Sequence, residues 1–116
     1  MNIERHGTTR RYSDVVARGD TVYLAEVPES LDADIAGQTL DMLARVERRL
    51  TQAGSDRSRL LLATIYLRDM ADYDGMNAVW DAWVPAGAAP ARACVEARLS
   101  HPGMRVEIVL IAARCP

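Results

Sequence analysis

Two periods of hydrophobic patterning run along the chain. Val15-Val16 and Thr21-Val22-Tyr23-Leu24 are short, strand-like runs separated by Arg18-Gly19-Asp20, the composition of a tight turn, and Pro28 closes the second run. From Ile35 to Ala53 the period changes. Ile35, Met42, Leu43, Val46, Leu50 and Ala53 recur at helical spacing, while Asp41, Arg45, Glu47, Arg48 and Arg49 make a solvated opposite face. Asp32 or Asp34 can cap the start of this helix and Gly54 its end.

Arg59 to Leu67 (RLLLATIYL) is apolar on both faces and reads as a strand buried on two sides. A second helix is predicted over about Asp72 to Val84, with Tyr73, Met76, Trp80 and Trp83 forming a stripe that needs an apolar surface to dock on. Small residues from Pro85 to Pro90 break it. Ala91 to Leu99 alternates, with Ala91, Ala93, Val95, Ala97 and Leu99 on one face and Arg92, Cys94, Glu96 and Arg98 on the other. A loop at Ser100-His101-Pro102-Gly103 leads to a last strand, Met104 to Ala113. The predicted order is two or three strands, helix, strand, helix, strand, strand. That is an α+β fold, with helices packed on one face of a mixed sheet.

The 116 residues are the size of one domain, so residues 1–116 read as a single unit able to bury roughly 60–68% of its unfolded surface. Fourteen basic and sixteen acidic side chains give a net charge of −2, which excludes a strongly basic nucleic-acid footprint and gives no reason to invoke an anionic membrane surface. The polar start MNIERHGTTRRYSD has no apolar core of a signal peptide, and no apolar run approaches the roughly 20 residues that span a bilayer. Cys94 and Cys115 have neither metal-ligand spacing nor a disulfide framework. A reduced, cytoplasmic protein is the expectation.

No nucleotide-binding glycine loop and no nucleophile elbow is present. His6 and His101 fall in polar, loop-like segments and read as surface residues. Asn77 and Tyr12 read, by pattern alone, as a helix-surface amide and a loop aromatic, and the Trp80/Trp83 pair as core or subunit contact. Two charged residues are harder to set aside. Arg92 opens an otherwise small and apolar strand, and Glu107 lies between Val106 and Ile108 with Val109 and Ile111 continuing its face. A carboxylate on such a face is costly unless paired or hydrogen-bonded. The two readings are a salt bridge or solvated edge strand, and an anion-binding arginine with a carboxylate that acts on water. Were the last two strands a simple hairpin, Glu107 would face Ala97, and Arg92 would lie about 17 Å further along. A shared site then requires that these strands are not neighbours, or that two subunits contribute.

Several segments resemble the Rid (reactive intermediate deaminase, YjgF/RidA-type) family: Tyr12-Ser13-Asp14-Val15-Val16 with Gly19-Asp20-Thr21-Val22-Tyr23, Gln38-Thr39 through Leu50 with Ala53-Gly54, and Asp72 through Trp80. The most specific are Pro90-Ala91-Arg92-Ala93-Cys94-Val95 and Val106-Glu107-Ile108-Val109-Leu110-Ile111-Ala112. The resemblance covers nearly the whole chain and is strongest to short, YoaB-like members, which have Val-Pro-Glu after the early strand (here Val27-Pro28-Glu29) and a Trp-rich second helix. It implies a chorismate-mutase-like α+β fold assembled as a homotrimer, with sites at subunit interfaces and the last strand inserted between earlier ones. It further implies hydrolysis of 2-imino and 2-enamino acids to 2-keto acids and ammonia without metal or cofactor. By motif position the carboxylate-binding arginine is Arg92, the water-directing glutamate Glu107, and the remaining pocket residues Tyr12, Asn77 and Cys94.

One departure stands out. Where many deaminating members carry Ser-Gly-Gln, this chain has Leu24-Ala25-Glu26. If Leu24 lines the pocket, apolar imines derived from leucine or methionine are expected to be preferred over 2-aminoacrylate. The alternative to an enzyme is a trimeric protein that binds a small carboxylate without turnover. An endoribonuclease fits an acidic chain poorly.

Overall fold

The computed structural model describes residues 1–115 and contains one six-stranded mixed sheet with two helices on one of its faces. In chain order the elements are β1 (Ile3–His6), β2 (Val15–Arg18), β3 (Thr21–Glu26), α1 (Ile35–Gln52), β4 (Leu60–Leu67), α2 (Tyr73–Trp83), β5 (Ala91–Glu96) and β6 (Val106–Ala113). The spatial order is β1-β2-β3-β6-β4-β5. β6 therefore pairs antiparallel with both β3 and β4, and β5 returns parallel to β4 after the α2 crossover. The smallest dimension is 20 Å, the thickness of one sheet and one helix layer. Among the described residues, no second layer covers the sheet's other face.

Local chemistry explains most element boundaries. The Asp34 carboxylate accepts from the Gly37 N–H at 2.8 Å and caps α1. Gly54, at φ +80°, lies just past the C-cap Ala53. Gly19, at φ +60°, makes the β2–β3 turn. The buried side of α1 (Met42, Leu43, Val46, Leu50) and Met76 and Trp80 of α2 pack on Val22, Leu24, Ala63, Ile65, Leu67, Ile108 and Leu110. Polar side chains are buried here too, Gln38 and Thr39 of α1 among them. Gln38 is fully buried, donates from Nε2 to the Gly103 carbonyl at 2.8 Å and accepts the Arg105 N–H at Oε1 at 2.8 Å. It thereby fixes the loop that feeds β6.

Several expectations need correction. The order allowed a third early strand without placing it, and that strand is β1: all four of its residues are exposed, and it holds its place by backbone pairing with β2 and by the Glu4–Arg114 ion pair. His6 consequently lies on β1, not in a loop. β4 is not buried on two sides, since Leu62 is 40% exposed and only Leu60, Ala63, Ile65 and Leu67 are buried. β5 stops at Glu96, short of Leu99. Tyr73, assigned to the docking stripe of α2, is 39% exposed and outside the core.

Gln38→Leu should keep the volume of the side chain and leave the Gly103 carbonyl and the Arg105 N–H without partners. Each such buried group costs about 1–3 kcal/mol. Urea unfolding is expected to register a loss of at least about 2 kcal/mol.

Candidate active site

Five side chains carry the expected chemistry, and the fold gathers them into two separate groups. Arg92, Asn77 and Cys94 form the first. The β5 residues Arg92 and Cys94 point toward the helix layer, where Arg92 meets α2. Arg92 Nη1 donates to Asn77 Oδ1 at 2.7 Å and Nη2 to Tyr73 Oη at 3.2 Å. Its guanidinium carbon lies 5.5 Å from the Trp80 ring centroid and 5.8 Å from that of Tyr73. Both hydrogen-bond partners are neutral, and none of the ion pairs among the described residues involves Arg92. The salt-bridge reading of Arg92 is thus not realised within the chain. Cys94 is half-buried against the core, and burial pushes its thiol above the usual range despite the opposing charge of Arg92. It is a packed thiol, not a poised thiolate.

Tyr12 and Glu107 form the second group, on a cleft of about 430 Å³ also lined by Asp14, Ala25, Glu26 and Arg45. Tyr12 sits in the β1–β2 connection, where its carbonyl accepts the Thr9 N–H at 2.7 Å. Gly7 begins that connection at φ +64°, and a Cβ there would fall 1.9 Å from Asp14 Oδ2, so the close approach requires glycine. Asp14 closes the loop onto α1 through Arg49 Nη2 at 3.3 Å. The same arginine reaches Glu26 Oε2 through Nε at 3.4 Å, while Arg45 Nε meets Glu26 Oε1 at 3.3 Å. Glu26 is a 5%-exposed carboxylate compensated by two guanidinium groups.

Glu107 has no such compensation. It lies opposite Tyr66 in the β4–β6 ladder, on the uncovered face, and alternates with the buried Val106 and Ile108. Partial burial raises its pKa above the usual carboxylate range. Desolvation is the cause, and no opposing arginine among the described residues is resolved at this carboxylate.

β6 does not pair with β5, so the hairpin geometry does not apply. Arg92 is opposite Ala63, which is opposite Leu110; two strand spacings and three residues of rise put the Arg92 and Glu107 backbones roughly 14 Å apart. Their side chains also leave the sheet on opposite faces. One chain cannot bring them to a common ligand.

The expectation for Leu24 is also corrected. Leu24 is 4% exposed within the helix-side core and does not line the cleft; Ala25, one position on, does. Leu24 therefore gives no ground for a preference for leucine- or methionine-derived imines. Sequence reasoning missed two further groups. One is Tyr73, which stands four residues before the expected Asn77 on α2, a spacing that puts both beside Arg92. Glu26 continues the buried Val22–Leu24 alternation, which was itself a signal of a buried carboxylate.

Comparison with known proteins gives a consistent result. The sequence model described as Endoribonuclease L-PSP matches residues 3–114. A RutC family protein, YoaB, from Escherichia coli K12 is 47% identical over 113 residues, covering 97% of this chain and 99% of its own. A 3-aminoacrylate deaminase, RutC, from Acinetobacter baylyi is 35% identical over 79 residues, 68% of this chain and 62% of its own. Among solved structures, a YjgF-family protein from Neisseria meningitidis superposes with a TM-score of 0.97 at 51% identity, covering 100% of this chain and 98% of that one.

The raised pKa of Glu107 has a thermodynamic consequence with a definite sign. Relative to the unfolded chain, its contribution to stability is complete below the unfolded carboxylate pKa of about 4.3 and is lost as pH rises through the higher folded value. Glu107→Gln carries no ionisable group. Its thermal midpoint, measured against wild type, should move in the variant's favour between pH 4 and pH 8.

Proposed function

The chain belongs to the family described as Endoribonuclease L-PSP, together with the RutC and YjgF proteins, and from that premise we propose that it hydrolyses 2-imino and 2-enamino acids to 2-keto acids and ammonia. The observation that carries the reading is an arginine held in place by neutral partners, its charge unspent, in a chain whose Glu107 faces a cleft with a raised pKa. The relative named a 3-aminoacrylate deaminase supports this chemistry. Against an RNA substrate stand the net charge of −2 and the lack of a basic groove at the cleft, where Arg45 is already paired with Glu26.

Working sites in this reading form between copies of the chain in a homotrimer. Support comes from the uncovered sheet face, where Tyr23, Leu62, Val95 and Val109 are each 39–47% exposed. A second copy over that face would cover this apolar surface and could set Arg92 of one subunit against Glu107 of another. Arg92 then holds the substrate carboxylate, with Asn77 keeping the guanidinium oriented and Cys94 and Tyr12 shaping the walls. Positioning supplies most of the acceleration. Glu107 takes a proton from water as its oxygen bonds to the imine carbon, and the C=N π electrons move onto nitrogen. The proton is returned to that nitrogen to give the carbinolamine; Glu107 then takes the carbinolamine hydroxyl proton and passes it to the amino nitrogen as the C=O bond forms and the C–N bond breaks, and a 2-keto acid and ammonia leave. A carboxylate with a raised pKa suits both halves of this proton transfer. No metal or cofactor is needed in this scheme.

Imines generated in situ by an amino-acid oxidase provide the assay. Arg92→Ala should abolish accelerated decay, with a loss of about 100-fold or more from one charge-assisted anchor, and Arg92→Lys should recover little of it. Glu107→Gln should lose turnover yet keep affinity for a 2-keto acid, the outcome that separates an enzyme from a carboxylate-binding protein. Mixed after unfolding and joint refolding, the Arg92→Ala and Glu107→Gln chains should regain part of the wild-type rate, because some interfaces then pair two intact halves. Light scattering that returned only the 12.8 kDa chain at micromolar concentration would overturn the shared-site scheme.

A further inference from the structure

We infer that Tyr73 is a second ligand for the substrate carboxylate, working beside Arg92 as a paired donor and setting a preference for imines that carry a carboxylate. The inference rests on the deaminase reading for its substrate, but on separate atoms for its geometry. Tyr73 Oη lies 3.2 Å from Arg92 Nη2. A guanidinium has five N–H donors and no acceptor, so the hydroxyl must accept in this contact. Its own O–H is then left to donate, and no acceptor among the described residues takes it. Asn77 and Tyr73 together engage two of the five guanidinium donors.

Arg92 and Tyr73 thus present adjacent donors from two different elements, β5 and the first residue of α2. A carboxylate has two oxygens and can accept from both at once. Tyr73 is 39% exposed although its sequence pattern assigns it to the packed side of α2. Exposure at that point is what a ligand-facing hydroxyl needs. The Tyr73 and Trp80 rings also flank the guanidinium, so the arginine has little rotamer freedom left to lose when a carboxylate arrives.

Tyr73→Phe in the full chain isolates the hydroxyl while keeping the ring. Two substrates are compared: the imino acid made by an amino-acid oxidase, and a carboxylate-free imine made by an amine oxidase. The variant should raise KM for the imino acid about tenfold, with the loss falling on KM and not on kcat. Its kcat/KM for the carboxylate-free imine should change less than about twofold, so the preference between them falls about tenfold. In parallel, calorimetric titration with 2-ketobutanoate should show a Kd about tenfold weaker than wild type. An unchanged KM and Kd, or an equal loss on both imines, would overturn the assignment and leave Tyr73 a structural neighbour of Arg92. If wild type turns over no imine, the deaminase reading fails by itself; the 2-ketobutanoate titration then still decides for or against Tyr73 as a carboxylate ligand.

Discussion

Hydrogen bonding of β6 along both of its edges determines where every candidate group ends up. Because the strand pairs with β3 on one side and β4 on the other, its register is fixed twice, with Ile108 opposite both Glu26 and Ile65. The period of two then leaves no choice. Val106, Ile108, Leu110 and Ala112 enter the helix-side core, and Glu107, Val109 and Ile111 must lie on the other face. The same parity sends Leu24 inward and Ala25 outward on β3. A carboxylate on a face without helices is a consequence of this register, as is an apolar surface around it.

Much of this frame could be read from the residues. The helical period of α1, its Asp34 cap and the glycine after its end are strictly local signals, and the structure follows them to within a residue or so. The inserted position of the last strand was legible only through the resemblance, because nothing in residues 106–113 says which strands they will pair with. β1 could not be placed for the opposite reason. A strand held by backbone pairing and one surface ion pair, Glu4 to Arg114, with all four side chains exposed, leaves no hydrophobic period to detect. On β4 the apolar composition was read as burial on two sides, but the chain itself covers only one of them. Of the site, Arg92 and Glu107 stood out because charge interrupts an apolar alternation. Tyr12, Asn77 and Cys94 carried no comparable signal by pattern. Tyr73 was misassigned because an aromatic at helical spacing reads as core.

The two polar groups are built on opposite electrostatic plans. Around Glu26 the chain places two guanidinium groups on one buried carboxylate and then extends the array to Asp14, which ties the Tyr12 loop to α1. That cluster is internally compensated and structural. Arg92 receives only an amide, a hydroxyl and two aromatic faces, all of which orient a cation without neutralising it. Among the described residues, no ion pair reaches Glu107. The sheet between them prevents the two from pairing off, so each keeps a charge imbalance that an anion or a proton can answer.

The central place of β6 also governs the order in which the molecule can be made. A ribosome delivers β1-β2-β3 as one antiparallel ribbon and β4-α2-β5 as a second unit, and neither has its inner edge covered until residues 106–113 emerge. During that interval the backbone edges of β3 and β4 are both open templates for a foreign strand. Translation speed over the stretch that separates β5 from β6, and any helper protein that shields exposed strands, should therefore weigh more heavily on the yield of this protein than its modest size would imply.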